Sequence, residues 1–190
     1  LGVITQIQLV PAEFVLAPND GQTFTVYGLD RTGRRVREVT GDATIAKWTP
    51  PAPPGGAQVD AGLTGNVLRA GPQARLSVGN LQAKWNNLTA VSRGRIVAGP
   101  GYQEDFESFA LPLKNEAGES VAFPPLPWMG ARVKWHVLEN GGSKVAANRL
   151  DVILFQRTMN FIGTPEMKNY TIEADVMTDG TRRVMSSVGL

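Results

Sequence analysis

The chain has 190 residues, of which 19% are charged, with a formal net charge of +2. That length holds one large domain or two small ones, and so small a charge offers no field that would gather nucleic acid or an anionic lipid surface. The absence of cysteine excludes disulfides, thiolate nucleophiles and Cys-ligated zinc, and no run approaches the roughly 18 apolar residues of a membrane-spanning helix.

Glycine (21) and proline (13) are spread along the whole chain, a texture that suits short strands joined by turns. No segment holds a 3.6-residue apolar period over ten residues, so the expected fold class is all-β. In chain order, residues 4–10 alternate, with Ile7 and Leu9 on one face, and Pro11 ends the run. A turn at 18–21 leads into a strand over 22–29, and the turn at 30–34 leads into Val36–Val39. Residues 43–48 form a strand that ends in a proline-rich loop, 49–56, since proline cannot donate to a ladder. Residues 81–85 and 88–97 read as a hairpin about Asn86-Asn87, whose side chains tolerate the positive φ of a tight turn.

The stretch "IQLVPAEFVLAPNDGQTFTVYGLDRTGRRV", continued by Asp60-Ala61-Gly62-Leu63 and the 81–97 hairpin, resembles a bacterial immunoglobulin-like domain. "VAGPGYQEDFE" (97–107) marks a boundary, two glycines and a proline before a new acidic start. Beyond it, "EDFES" (104–108), "PPLPW" (124–128), "VKWHVLENGGSKV" (133–145) and "NYTIEADV" (169–176) resemble a concanavalin-like sandwich of the laminin-G or jelly-roll kind. Together they resemble the region that follows a quinoprotein-type, PQQ-binding-like β-propeller in secreted bacterial proteins, although no propeller repeat is present. The resemblance implies two tandem sandwiches, 1–98 and 99–190, and a secreted or periplasmic setting. Leu1 in place of methionine reads as a processed or trimmed chain.

In the second half, strands are expected at Asp105–Phe109, Arg132–Glu139, Ser143–Ala146, Leu150–Phe161, Thr171–Met177 and Val184–Leu190. That is about half the strands the resemblance implies, so the second sandwich is expected to be partial. The apolar run 150–163 then needs a facing sheet, so the expectation is either a fragment of a longer protein or two copies that complete each other's sheets by strand exchange or face-to-face packing.

The candidate ligand-binding residues are Trp128, Glu173 and Asp175. Trp128 follows three prolines and offers a ring for stacking on a sugar or a partner surface; packing at the module junction is the competing, favoured reading. Trp135 alternates with Val133 and Val137 and reads as core, and Trp48 and Trp85, at strand ends, read as core or near it. Glu173 and Asp175, two residues apart on an expected strand, match the first two positions of the Glu-x-Asp-x-(x)-Glu strand of concanavalin-type glycosidases. Retaining hydrolysis needs a second carboxylic acid about 5 Å away, and Met177 and Thr178 stand where it belongs, so the hydrolase reading ranks second. His136, the only histidine, supports neither a multi-histidine metal site nor a Ser-His arrangement. Asp105 and Glu107 alone do not define a Ca²⁺ site. The sequence therefore predicts no catalytic residues, no metal and no cofactor. It predicts a non-catalytic accessory region that binds a glycan or a protein partner, or acts as a spacer.

Overall fold

The computed structural model describes residues 2–50, 58–131, 135–148 and 159–177. The chain is all-β, a sandwich followed by a further sheet, with no α-helix among the described residues. The first half carries β1 (Gln6–Val10), β2 (Glu13–Leu16), β3 (Gly21–Thr23), β4 (Thr25–Leu29), β5 (Arg35–Glu38), β6 (Thr44–Trp48), β7 (Ala61–Thr64), β8 (Val67–Ala70), β9 (Ser77–Trp85) and β10 (Leu88–Ile96). One layer is the four-stranded sheet β2-β10-β9-β6, in which β2 runs parallel to β10 and the other pairs are antiparallel. The other layer is built in two pieces, β1-β4-β5 and β3-β8-β7.

Period-two alternation decides which side chains meet between the layers. Ile7 and Leu9 of β1, Phe14 and Leu16 of β2, Val26 of β4, Leu68 of β8, and Leu81 and Ala83 of β9 are all buried in one cluster. Every buried member of that cluster lies between Ile7 and Ile96. The strand expected over 22–29 is interrupted at Phe24, which is fully buried. Before it the chain pairs with β8, and after it with β1. Asn66 closes the gap in the ladder: its carbonyl accepts the Phe24 N–H, and its side-chain amide donates to the Phe24 carbonyl.

The turns are held by the chemistry read from the sequence. At 30–34 the Asp30 carboxylate accepts the N–H and the hydroxyl of Thr32 and the N–H of Arg34, while Gly33 takes φ +82. Those bonds, the Thr32 hydroxyl first, hold the Asp30 carboxyl below its ordinary pKa. Trp85 pairs with Leu88 across the Asn-Asn turn as expected, but of the two asparagines only Asn86 takes a positive φ, +51.

The second half is a meander, β11 (Leu113–Lys114), β12 (Ser120–Ala122), β13 (Trp135–Asn140) and β14 (Ser143–Asn148), paired in that order. Val137 and Leu138 are adjacent and both buried, so β13 is covered on both faces there. Trp135 is half-buried beside the buried Val137; Val133 lies outside the described residues.

Two expected strands are corrected. Asp105–Phe109 is a series of bends, with Phe106 at φ +61, because Glu104 and Asp105 accept backbone N–H groups two residues on and curl the chain. Thr171–Met177 is exposed and forms no strand: its alternation would need a neighbouring ladder, and no described strand supplies one. The strand expected at Leu150–Phe161 falls largely outside the described residues, and the one at Val184–Leu190 entirely so; β11 and β12 are additions.

Two neighbours on β10 should respond oppositely to alanine. Gly94 sits opposite Phe14, and a Cβ there would fall inside the Phe14 ring; Gly94→Ala should destabilise by about 1–3 kcal/mol. Ser92 is fully buried with its hydroxyl unpaired; Ser92→Ala should stabilise by roughly 1 kcal/mol, because an unmade buried hydrogen bond is removed. Urea denaturation measures both, and a stabilising Gly94→Ala or a destabilising Ser92→Ala would contradict this packing.

Candidate functional site at the junction of the two halves

The segment that leaves β10 stays on the first sandwich for several residues. Val97 is buried and donates its N–H to the Leu16 carbonyl, and Gly99 lies against Pro18. The chain then curls around Glu104. One carboxylate oxygen accepts the Tyr102 hydroxyl at 2.9 Å and the other accepts the Phe106 N–H at 3.0 Å. The curl presents Phe106 edge-on to Trp128, with ring centroids 5.8 Å apart at 81°, and Phe109 backs it at 6.0 Å.

Trp128 arrives from the other side. The prolines before it set a turn closed by the Trp128 N–H on the Pro125 carbonyl, and Met129 and Phe161 exchange both backbone hydrogen bonds. Arg95 of β10 donates to the Pro127 carbonyl at 3.3 Å, joining the turn to the first sandwich. Trp128 is half-buried and its indole nitrogen is buried. The indole N–H lies near enough to the Tyr102 hydroxyl to affect its ionisation, yet does not reach hydrogen-bond geometry. This tryptophan is therefore one wall of a packed aromatic joint rather than an open platform.

Of the three candidate residues, only Trp128 enters this cluster. Glu173 and Asp175 lie on the exposed, non-strand segment, so the shared face that the glycosidase comparison needs is not formed. Tyr102, Glu104 and Phe106 were not singled out from the sequence, although the spacing Tyr-x-Glu-x-Phe in a linker was a usable signal. Asp105 and Glu107, weighed as Ca²⁺ ligands, serve the chain itself. Asp105 accepts the Glu107 N–H, and Glu107 accepts the Lys144 N–H while its carbonyl accepts the Lys144 ammonium. Among the described residues no group of three or more His, Asp or Glu side chains gathers to hold a metal, and no helix is long and apolar enough to cross a membrane.

Another concavity, of about 410 Å³, is lined by Lys47, Gln58, Val59, Asp60, Arg75 and Ser77. Several of its polar groups bond one another. Lys47 donates to the Val59 carbonyl, Ser77 links Asp60 to Arg75, and Asp60 accepts the Arg75 N–H. That N–H, ahead of the Arg75 charge, holds the Asp60 carboxyl below its ordinary pKa.

These features define an all-β protein with a β-sandwich and a packed junction. The sequence matches no family model and no curated protein. Among solved structures, a likeness is found to the surface layer protein SbsC, domains 1-6, at 15% identity and a TM-score of 0.34, covering 90% of this chain and 26% of that one.

Burial, and then the Glu104 carboxylate, push the Tyr102 hydroxyl above the ordinary tyrosine pKa. A raised pKa means that the folded chain favours the neutral phenol. The stability this contributes is complete below the ordinary tyrosine pKa of about 10 and is lost as pH rises through the raised value. In an alkaline absorbance titration, Tyr102→Phe should remove the component that ionises last; loss of an earlier component would place Tyr102 in water.

Proposed function

We propose that the chain is a non-catalytic accessory region of a secreted or periplasmic bacterial protein of the quinoprotein-like kind, presenting a binding surface at a set distance from its neighbours. The packed junction carries this reading. Val97 is held on β2, Arg95 reaches the Pro127 carbonyl, and Phe106 and Trp128 fill the space between. A connection buried in this way lets the sandwich and the following sheet act as one unit, as spacing or presentation requires, whereas a free linker leaves relative motion as the default. The setting is supported by the sequence resemblance, with its immunoglobulin-like and concanavalin-like halves. In this reading any quinone chemistry belongs to residues outside this chain.

A glycan array probed with the whole chain tests the binding role, paired with an assay for released reducing sugar on every glycan retained. Retention without release is the expected result, and release of reducing sugar would overturn the non-catalytic assignment. Pyrroloquinoline quinone titrated into the chain should leave its fluorescence unchanged; a dissociation constant on the order of 1 µM would also overturn it.

A further inference from the structure

The outward face of the sheet β2-β10-β9-β6 is fixed by register. Leu81 of β9 is buried and lies opposite Lys47 and Ser92, so the alternate positions, Trp48, Asn80 and Arg93, form a row on the other side. Gln82 lies in the next row and Lys84 in the one after, flanked by Thr44 and Thr89. The distance from the Trp48 row to the Lys84 row is four residues of extended strand, about 13 Å. The charges on this face are Lys84, Arg93, Arg95 and Glu13. Glu13 is ion-paired to Arg93 across the parallel strand, so the face is positive overall. Arg95, held on the Pro127 carbonyl, marks the edge where the second half abuts.

The chemistry of the face differs from that of the junction. Trp48 is half-exposed, whereas the indole nitrogens of Trp128 and Trp135 are buried and unpaired. The Asn80 and Gln82 carboxamides stand on the central strand β9, each able to donate and accept. A half-exposed ring on β6, two amides on β9 and a surplus of cationic side chains on β9 and β10 suit a polyol that carries negative charge.

We propose that this face binds an acidic polysaccharide. A pyranose ring lies over Trp48, hydroxyls meet Asn80 and Gln82, and a carboxylate further along the chain meets Lys84. The proposal rests on the binding reading above and names its ligand class. Charge complementarity selects the occupant: a neutral glycan leaves the cationic surplus unmatched, and an acidic one neutralises it.

Affinity electrophoresis of the whole chain, in gels containing polygalacturonate or neutral dextran, provides the test. Polygalacturonate should retard the wild-type chain, and dextran should not. The apparent dissociation constant should rise at least about tenfold in Trp48→Ala and in Lys84→Glu, and should also rise with added salt. Trp128→Ala should bind as the wild type does. Lys84 is exposed, so Lys84→Glu reads the face even if Trp48→Ala perturbs folding. Binding kept in both face variants but lost in Trp128→Ala would refute this face and leave the binding role standing. Equal retardation by dextran would refute the charge argument. No retardation of the wild type by polygalacturonate would refute the proposal, whatever glycan the array retains.

Discussion

The first sandwich depends on how one aromatic pair is accommodated. Phe14 and Phe24 meet edge to face, with centroids 5.5 Å apart, and Phe14 lies over Gly94 of the neighbouring strand. Phe24 occupies the point where the chain passes from β3 to β4, so its burial fixes the break between two half-sheets that share one layer. Its backbone groups cannot join either ladder in full. Asn66 supplies the missing donor and acceptor, and a buried peptide left unpaired would cost about as much as a lost hydrogen bond. The glycine, the asparagine and the two phenylalanines thus form one arrangement, in which volume lost at position 94 is filled from position 14.

The junction applies the same economy to polar groups. Glu104 accepts both the Tyr102 hydroxyl and the Phe106 N–H, and together these bonds hold the curl that presents Phe106 to Trp128. Glu107 repeats the pattern one step further on, tying the curl to Lys144 at the start of β14. Asp105 and Glu107, weighed in the sequence as cation ligands, are here acceptors for backbone donors. A chain that leaves a sheet must satisfy its peptide groups locally, and short acidic side chains do so over two residues.

The two halves handle apolar surface differently. In the first, the large hydrophobic residues converge between the layers. In the second, Phe123, Leu126, Met159, Phe161 and Val176 remain exposed beside a small buried group around Val121 and Val137. Apolar surface of this kind costs free energy in water roughly in proportion to its area, and it concentrates in the half for which the sequence called for a facing partner.

The sequence by itself determined the all-β class, most strands of the first sandwich and the chemistry of its turns. These depend on local rules: alternation at Ile7 and Leu9, positive φ at Asn86 and Gly33, and side-chain acceptors at Asp30. Tertiary structure decided what local rules cannot reach. Residues 22–29 read as one strand because the alternation continues through Phe24, and only the positions of β1 and β8 divide it. Thr171–Met177 has the alternation of a strand but no described neighbour to complete its hydrogen bonds. The sequence reads Trp48 as core or near it and offers Trp128 as the candidate stacking ring, but exposure at a strand end depends on what packs there. Phe106 packs against Trp128, whereas register turns Trp48 outward, since side-chain direction in a sheet is fixed by the partner strand as well as by the residue itself.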